Sequence, residues 1–423
     1  MTSDPRAEPS RAYVWVWLPG ETDPVVAGVL NARGDRVFFN YGQSYLGRKN
    51  AIPLYLPELP LRRGQIEPLE GLRVAGCIAD AGPGAWGQRV VLHRRFGRIA
   101  VDTDPSDLSF LSYLLESGSD RIGALDFQAG AHTYRPRSAG GSLDELVTAA
   151  ERLEAGEPFS AELDNALLRG SSIGGARPKA LLDDGERKLI AKFSSKNDPS
   201  PVVKAEAVAM ELARRVGLDV AVTSFMERLG HDVLLVERFD RTSVPGERRM
   251  VVSALTILGL DEMFSRYATY HELADIIRRR FTSPSETLRE LFGRIVFNIC
   301  VGNTDDHPRN HAAFWSGPGS AVGSEMTLTP AYDICPQNRS GGEAAQAMEI
   351  DRSGFRMSQL AGCIDAAEIY LLDKKEAREI VDHQLEVIHG GWDDAADAAH
   401  LTQAERHALW GRQILNPYAM ENL

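Results

Sequence analysis

The sequence lacks the features that mark several large classes of protein. Its 423 residues include only 4 cysteines, none in a C-x-x-C pair, which excludes a zinc ribbon, a dithiol redox centre and a disulfide-stapled scaffold. No apolar run approaches the ~20 residues that a membrane-spanning helix needs. The first residues also lack the basic-then-apolar pattern of a secretory signal. These absences predict a cytoplasmic protein with reduced thiols and no membrane partner.

An excess of basic residues is also missing. Lys and Arg number 47 against 59 Asp and Glu, so the formal net charge is −12. Polyphosphate backbones repel such a chain at long range, so direct nucleic-acid binding would need a local basic patch. Hydrophobic residues at 43% and charged residues at 25% are typical of globular proteins. The length predicts roughly two to four structural units.

The first part of the chain has the pattern of a small antiparallel sheet. Apolar runs at 25–31 and 37–41 flank an Ala-Arg-Gly-Asp turn and predict a hairpin. Further on, Ser142 and Glu145 form an S-x-x-E capping box, which predicts a helix from 143 to about 155. We therefore expect a β-rich segment followed by a linker and a helix.

The middle of the chain alternates strands with one helix. Residues 171–195 have the pattern of strand, turn and strand. The apolar spacing after Pro201 predicts an amphipathic helix that ends at Gly217, and strand-like runs follow at 220–229 and 232–239. Because the remainder is mostly helical in pattern, the sequence predicts an α+β protein with a β-rich lobe joined to a helical lobe.

The first candidate site is the segment 171–179, which reads S-S-I-G-G-A-R-P-K. The adjacent Gly174 and Gly175 allow backbone amides to approach a ligand and to point N–H groups at an anion, as a phosphate cradle requires. The segment matches neither G-x-x-x-x-G-K-[ST] nor G-x-G-x-x-G. An ordinary glycine-rich hairpin turn is the alternative.

The second candidate is Lys192 in the strand pattern L-I-A-K-F. Strand alternation places Lys192 on the same face as Ile190, which we expect to face inward. A lysine there either reaches a phosphate or extends out to solvent. Glu206 on the following helix is a candidate partner, as in the strand-lysine and helix-glutamate pair of kinases, and a solvated glutamate is the alternative.

The third candidate is N-T-D-D-H-P-R-N-H at 303–311, directly after an apolar helix pattern. Phosphoryl transfer to a hydroxyl needs a carboxylate that orients or deprotonates it, together with oxygen ligands for Mg²⁺. The offset from Asp305 to Asn310 equals that between the catalytic Asp and the metal-binding Asn in H-R-D-x-x-x-x-N. Asp333 follows as a possible second metal ligand, although a D-x₄-N spacing also occurs by chance in solvated turns.

Two alternative hydrolytic sites draw on residues of the candidate segments 171–179 and 303–311. His307 and His311 are spaced i, i+4 and would share one face of a helical turn as zinc ligands. Pro308 between them and the absence of an H-E-x-x-H frame argue against a zinc protease. No G-x-S-x-G elbow occurs, although Ser172 in its glycine loop imitates one superficially.

In this order, the motifs resemble the HipA family of Ser/Thr protein kinases, the toxins of HipA–HipB-type toxin–antitoxin modules. The resemblance covers nearly the whole chain. It rests on FFNYGQSYL (38–46), AIPLYL (51–56), DAGPGAWGQRVV (80–91), DRIGALDF (120–127), SSIGGARPK, IAKF, VERFDR (236–241), NTDDHPRN and TPAYDI (329–334).

The resemblance implies a protein-kinase-like two-lobe fold of the α+β class with an additional β-rich N-terminal domain. That N-terminal domain would cover 1–132. A kinase N-lobe with the glycine-rich loop and the inter-lobe hinge would cover 133–242. A mainly helical C-lobe with the catalytic and metal-binding loops would cover 243–423.

The resemblance also assigns roles to residues and implies ATP and Mg²⁺ as cofactors. Asp305 would be the catalytic aspartate, Asn310 and Asp333 the magnesium ligands, and Glu206 the orienting partner of Lys192. The residues expected to contact ATP are Ser172, Gly174, Gly175, Lys179, Lys192, Glu237, Phe239, His307 and Arg309. Ser172 would also be the autophosphorylation site that silences the enzyme, because ~−2 charge would be added to a phosphate-binding loop.

The implied partners are a small helix-turn-helix antitoxin and a protein substrate, an aminoacyl-tRNA synthetase or another translation factor. DNA would be contacted only through the antitoxin, in agreement with the acidic charge. Two other interpretations stay open: a kinase of the same fold that acts on a small molecule or lipid headgroup, and a catalytically silent nucleotide-binding scaffold of a repressor complex.

The sequence departs from the family pattern at two positions. Asp306 stands where the family's T-D-G-H motif has glycine, and a second carboxylate there could raise the pKa of one of the pair or give magnesium an extra ligand. Pro178 removes one amide from the phosphate cradle. The sequence does not decide whether Ser171 or Ser172 takes the phosphate.

Overall fold

The structure is a computed structural model that divides into two compact units. The first comprises Met1–Phe193, Asp240–Val252 and Trp315–Pro318, and the second comprises Ser194–Phe239, Ser253–Phe314 and Gly319–Leu423. The residues that the structure describes are 8–97, 104–137, 141–155, 157, 161–168, 170–185, 187–195, 198, 200–317, 326–339 and 341–423.

The first unit begins with strands and short helices. In chain order its elements are β1 (Arg11–Val16), β2 (Val25–Arg33), β3 (Arg36–Tyr41), α1 (Gln43–Leu46), β4 (Gln65–Ile66), α2 (Gly76–Ala79), α3 (Ala85–Phe96), α4 (Phe110–Glu116), β5 (Leu125–Gln128), α5 (Leu143–Glu154), α6 (Ala161–Leu168), β6 (Lys179–Asp183) and β7 (Lys188–Phe193). Among the described residues, five strands form an antiparallel sheet of order β4-β3-β2-β1-β5.

The β2–β3 hairpin confirms the predicted pairing, with Arg33 opposite Arg36 at the turn. Strand β1 lies inside the sheet, and its alternate residues Ala12, Val14 and Val16 are fully buried. Burial of one such valine contributes about 1.5–3 kcal/mol. The N-terminal sheet therefore has its own apolar core, as alternation in the sequence predicts.

Local signals define two helix ends in this unit, and the first of them confirms the capping box that the sequence predicts. The Ser142 side chain accepts from the Glu145 amide, and the Glu145 side chain accepts from the Ser142 amide, which completes the capping box of α5. Helix α3 ends at Gly97, whose φ of 65° only glycine adopts readily. The start of α5 and the end of α3 are therefore set by residues at those helix ends.

A buried charged cluster fixes the segment between α4 and β5. Arg121 donates from Nε to Asp126 Oδ1 at 2.9 Å and from Nη1 to the Ala81 carbonyl at 3.0 Å. Arg137 also donates to Asp126 Oδ1, at 3.0 Å. Burial acts to raise the pKa of Asp126, but the two guanidinium groups outweigh it and hold that pKa below its ordinary value.

From residue 202 onward the chain is mainly helical, and most of these elements belong to the second unit. They are α7 (Val202–Arg215), β8 (Thr223–Arg228), β9 (His231–Glu237), β10 (Met250–Ser253), α8 (Ala254–Ile257), α9 (Tyr270–Arg280), α10 (Pro284–Val301), β11 (Ala312–Trp315), β12 (Met326–Leu328), α11 (Leu360–Asp365), α12 (Lys374–Ala398) and α13 (Gln403–Leu409). Thus the α+β class is confirmed. No helix in the described ranges is long and apolar enough to cross a membrane.

Helix α10 is the core helix of the second unit. Proline at its first position and Gly302 at its C-terminal end, with φ 71°, define its length. A Cβ on Gly302 would lie 2.6 Å from the Gln413 carbonyl oxygen, so glycine is required there for space as well as conformation. The chain leaves this fixed end directly into the candidate catalytic segment at 303–311.

Candidate active site

The glycine-rich segment lies in the first unit, just before β6. Gly175 has a φ of +92°, which a residue with a side chain rarely adopts. Lys179 is buried at the start of β6, and its Nζ donates to the Gly174 carbonyl at 2.8 Å. The segment is therefore a tight turn held by its own lysine.

Both serines of this segment are buried. Ser171 Oγ donates to the Leu168 carbonyl at 2.8 Å and accepts from the Gly118 amide at 3.0 Å. Ser172 Oγ donates to the Asp120 carbonyl at 3.1 Å. Because their exposures are 0% and 1%, neither hydroxyl can meet a phosphoryl donor in this conformation. Ser171 has two hydrogen-bonded partners here.

Lys192 lies on β7 directly opposite Lys179 on β6. The period-2 alternation is confirmed, but the expectation that Ile190 faces inward is wrong. The buried face carries Leu189, Ala191 and Phe193, whereas Ile190 and Lys192 are both partly exposed. Lys192 therefore shares the more accessible face of the hairpin.

In the second unit, the two consecutive carboxylates of the catalytic segment face opposite ways. Asp305 is exposed, and Asp306 is 3% exposed. Asp306 Oδ2 accepts from the Tyr270 hydroxyl, from Asn298 Nδ2 at 2.8 Å and from His311 Nε2 at 2.8 Å. This carboxylate is therefore an internal anchor that ties the segment to α9, α10 and the residue preceding β11.

The environment of Asp306 favours its ionised form. Burial acts to raise the pKa of this carboxyl. The charge of His311 and the hydrogen bonds from His311 and Tyr270 lower the pKa by more than burial raises it, so the net pKa lies below the ordinary value. The structure gives no support to Asp306 as an extra magnesium ligand, because the residue is 3% exposed and its Oδ2 already accepts from three protein donors.

Asp305 has the opposite electrostatic environment. Burial of part of the carboxyl raises its pKa, the His307 imidazole lowers it, and the charges of Asp333 and Asp306 raise it again, with a net upward shift. Asp333 has a φ of 61°, a left-handed conformation that aspartate tolerates better than most residues. Thus the predicted base and one predicted metal ligand sense each other's charge.

Asn310 is the third predicted residue of this site, together with Asp305 and Asp333. Its Nδ2 donates to the Asp305 backbone carbonyl at 3.2 Å, so its amide oxygen is directed elsewhere and is suited to a cation. Among the described residues, no cluster of three or more His, Cys, Asp or Glu side chains is arranged to hold a metal. Mg²⁺ does not need such a cluster, because it is usually bound by one or two side-chain ligands together with substrate phosphates. Asn310 and Asp333 fit that ligand type.

The histidine pair does not form the zinc arrangement that its spacing suggests. Residues 303–310 are not helical, so His307 and His311 share no helical face. His311 Nε2 is bonded to Asp306, and His307 Nδ1 is buried with no hydrogen-bond partner in the part of the chain that the structure describes. Arg309 forms an ion pair with Glu262, which places its guanidinium at the surface of the second unit.

The predicted hinge residues lie at the end of β9. The Glu237 amide donates to the Val222 carbonyl at 2.8 Å. Phe239 is half-buried and packs against Phe314 and Tyr332, with ring centroids 5.9 and 5.6 Å away. The Tyr332 hydroxyl donates to the Arg309 carbonyl at 2.7 Å, so one aromatic cluster joins the hinge strand to the catalytic segment.

Glu206 is 4% exposed on α7, which rules out the solvated alternative. Its pairing with Lys192, which belongs to the first unit, stays a prediction. Sequence reasoning missed the anchoring role of Tyr270 and Asn298, because nothing in the local pattern reports a long-range contact. It also missed the aromatic partner Phe314, although the continuous apolar run of β11 marks that strand as buried on both faces.

Comparisons with known proteins agree with the sequence resemblance. A solved structure of the Shewanella oneidensis toxin–antitoxin complex of HipA, HipB and operator DNA contains a chain of the same fold: the TM-score is 0.62 at 18% identity, over 94% of this chain and 96% of that one. Residues 16–128 match the HipA N-terminal domain, and residues 171–392 match the HipA-like C-terminal domain. The chain belongs to the HipA family.

Two curated relatives are also similar. Y4mE of Sinorhizobium fredii, which carries a provisional kinase name, is 26% identical over 378 residues, or 81% of this chain and 83% of that protein. The serine/threonine-protein kinase toxin HipA of Shewanella oneidensis is 29% identical over 147 residues, or 30% of this chain and 33% of that protein. Relatives of this chain are thus named as kinases.

Proposed function

We propose that the protein is an ATP- and Mg²⁺-dependent serine/threonine protein kinase and the toxin of a toxin–antitoxin pair. The observation that carries this proposal is the arrangement of Asp305: an exposed carboxylate whose backbone carbonyl is bonded by Asn310 and whose pKa is raised by burial and by the charge of Asp333. An accessible carboxylate of raised pKa beside two oxygen ligands suits a base that accepts a hydroxyl proton.

The reaction requires one base and several electrostatic partners. The substrate hydroxyl oxygen attacks the γ-phosphorus of ATP, the bond to the β-phosphate oxygen breaks, ADP leaves, and Asp305 receives the hydroxyl proton. Mg²⁺ held by Asn310 and Asp333 would neutralise charge on the phosphates. The proposed ATP-phosphate contacts are Ser172, Gly174, Gly175, Lys179, Lys192, His307 and Arg309.

The adenine is proposed to bind at the hinge. Backbone groups near Glu237 would bond the base edge, and Phe239 would supply an apolar wall because its ring is already held between Phe314 and Tyr332. Glu206 is proposed to orient Lys192. The burial of Glu206 supports this, since a buried carboxylate requires a donor or a cation beside it.

Ser172 is proposed as the autophosphorylation site that inactivates the enzyme. Among the described residues, its hydroxyl has one hydrogen bond, to the Asp120 carbonyl, whereas that of Ser171 has two. Ser172 is therefore less costly to release. A phosphate carries about −2 charge and cannot stay in a buried position bonded to a carbonyl oxygen, so the modified loop must leave its place.

A translation factor, such as an aminoacyl-tRNA synthetase, is the proposed substrate, and a small helix-turn-helix protein is the proposed antitoxin. The solved Shewanella relative is a complex with HipB and operator DNA, which supports a partner of that type. The net charge of −12 supports contact with DNA only through that partner.

Intact mass and peptide mapping test the proposal. Phosphatase-treated protein is incubated with ATP and Mg²⁺ beside Ser171→Ala and Ser172→Ala. We expect one added phosphate in the native chain and in Ser171→Ala, and none in Ser172→Ala. Absence of any added phosphate in the native chain would contradict the autokinase, and a phosphate mapped to Ser171 would contradict the assignment of the site.

A further inference from the structure

The glycine-rich loop is packed against the start of α3, a helix of the N-terminal sequence domain. The Gly84 amide donates to the Ile173 carbonyl at 3.3 Å, and the Trp86 amide donates to the Gly175 carbonyl at 3.0 Å. These are backbone contacts between segments almost ninety residues apart in sequence. The matched family domains separate the two segments, whereas the structure places both in the first compact unit.

Gly84, which precedes α3, and Gly87, in its first turn, permit this contact and tolerate no side chain. A Cβ on Gly84 would lie 2.4 Å from the Gly175 nitrogen and 2.8 Å from the Gly174 carbonyl carbon. A Cβ on Gly87 would lie 2.1 Å from the Ser171 carbonyl oxygen. All these neighbours are backbone atoms, which cannot rotate away as a flexible side chain could. The loop and a side chain at either position therefore exclude each other.

Side chains of the same helix hold the rest of the loop. Trp86 Nε1 donates to the Lys179 carbonyl at 3.0 Å inside the core. Arg89 Nη2 donates to the Ala176 carbonyl at 2.8 Å. Residues 84–89 thus contact the loop near its beginning, at its glycines and at the lysine that opens β6.

We propose that residues 84–89 form a seat that holds the glycine-rich loop in its nucleotide-binding conformation, and that Gly84 and Gly87 are positioning residues for phosphoryl transfer. This inference rests on the proposed kinase function. A loop with two adjacent glycines loses much conformational entropy when it is ordered. A seat that orders it beforehand removes this cost from the binding of ATP.

The seat also gives the N-terminal domain a direct role in nucleotide affinity. Loss of the seat would raise KM for ATP, because each binding event would have to order the loop. It would change kcat less, because the residues of the catalytic segment are not altered. If the glycines had a merely structural role, their substitution would lower the yield of folded protein, but it would not raise KM more than it changes kcat.

Hydrogen exchange and initial rates of ADP formation, measured on the full chain before Ser172 is phosphorylated, test the seat. Gly84→Ala and Gly87→Ala are compared with Gly130→Ala, whose Cβ would meet no atom within 4 Å. In the absence of nucleotide we expect the amides of 171–179 to exchange ~10-fold faster or more in the first two variants and at the native rate in Gly130→Ala. We also expect KM for ATP to rise about tenfold, with kcat within about threefold of native.

Gly87→Ala is the sharper variant, because alanine is the better helix former and intrinsic propensity alone predicts a more ordered α3. Native exchange in the loop of both glycine variants would overturn the seat. If neither glycine variant folds, Trp86→Phe replaces them. It removes the indole N–H bond to Lys179 together with part of the buried ring, and native loop exchange in that variant would also overturn the seat. The exchange measurement needs no kinase activity, so an inactive native chain with a protected loop would contradict the proposed function and leave the seat standing.

Discussion

Lys179 and Lys192 stand directly opposite each other across the β6–β7 hairpin. Directly opposed residues of an antiparallel pair have Cβ atoms ≈ 4.5–5.5 Å apart, and like charges in that position repel. The Lys179 ammonium is directed to the Gly174 carbonyl inside the glycine-rich loop. Two lysines thus stand at the same register position of the hairpin, next to the glycine-rich loop that we propose as a phosphate site.

Removal of either charge is therefore expected to weaken ATP binding. A hydrogen bond to a charged group contributes about 1.5–3 kcal/mol, so Lys179→Met and Lys192→Met should each raise Kd for ATP by about 10–100-fold. Lys188→Met is the matched control, since Lys188 lies on the same face of β7 and pairs with Asp183. Calorimetric titration with ATP measures the three constants. Equal losses in all three variants would show that only the overall charge of the hairpin matters.

Substitution of the two neighbouring carboxylates of the catalytic segment is expected to have different effects: one variant loses stability and the other loses activity. Asp306→Asn weakens the buried hydrogen bonds to Tyr270, Asn298 and His311 and should lower the free energy of unfolding by about 2–4 kcal/mol. Asp305→Asn removes a carboxylate that Asp333 and Asp306 repel, so its melting temperature should equal or slightly exceed that of the native chain.

Thermal unfolding and turnover of the same preparations check this separation. We expect Asp305→Asn to be stable and inactive, and Asp306→Asn to be less stable with some activity at low temperature. A stable, fully active Asp305→Asn would remove this residue from the chemistry. A native melting temperature for Asp306→Asn would show that the buried network contributes nothing to the fold.

Asp333 is expected to control the magnesium requirement. Asp333→Asn removes one anionic ligand and should raise the Mg²⁺ concentration for half-maximal activity at least about tenfold. Asparagine suits the positive φ of this position almost as well as aspartate does, so the backbone is retained.

Asp333→Gly and Asp365→Asn serve as controls for this measurement. Glycine relieves any backbone strain but supplies no ligand, so Asp333→Gly should be as deficient as Asp333→Asn. Asp365 forms an exposed ion pair with Lys374, and its variant should need no more Mg²⁺ than the native chain. If Asp333→Gly were fully active, Asp333 would act through its backbone and not as a ligand.

The buried pair of Arg121 and Asp126 is expected to make the N-terminal unit sensitive to acid. The folded-state pKa of Asp126 lies below its unfolded value, so its ionised form stabilises the fold at neutral pH, and this stabilisation is lost as the pH falls below about 4. Asp126→Asn leaves a buried guanidinium without its counter-charge and should cost about 3–5 kcal/mol at pH 7.

Chemical denaturation at several pH values checks this prediction. The gap in stability between the native chain and Asp126→Asn should narrow as the pH falls, whereas Asp365→Asn should stay within about 1 kcal/mol of native throughout. A gap that is constant with pH would show that the charge of Asp126 is not the source of its effect.

Elements with local signals could be predicted from the sequence. The capping box of Ser142 and Glu145, the helix end at Gly217 and the β2–β3 hairpin all depend on neighbouring residues, and the structure confirms each. The roles of Asp305, Asn310 and Asp333 stay predictions, although the structure bonds Asn310 to the Asp305 carbonyl and the charge of Asp333 raises the pKa of Asp305. Asp305 and Asn310 lie in one short segment and Asp333 follows further along the chain, so their spacing can be seen in the sequence alone.

Features that depend on distant contacts could not be predicted. Alternation in β7 correctly grouped Ile190 with Lys192, but which face is buried depends on the elements packed against the hairpin. The inward direction of Asp306 depends on donors from α9 and α10. The contact of Gly84 with the glycine-rich loop joins two segments whose own patterns carry no sign of each other.

Formation of ADP by the native chain and by Asp305→Asn decides whether the protein is a kinase that uses Asp305 as its base. Phosphatase-treated samples receive ATP and Mg²⁺, and ATP binding is measured on the same preparations. We expect both chains to bind ATP with similar Kd. We expect the native chain to form ADP in step with phosphoserine, and Asp305→Asn to form ADP at least about 10³-fold more slowly. Equal ADP formation by both chains, or ATP binding by the native chain without any ADP, would contradict the proposed function.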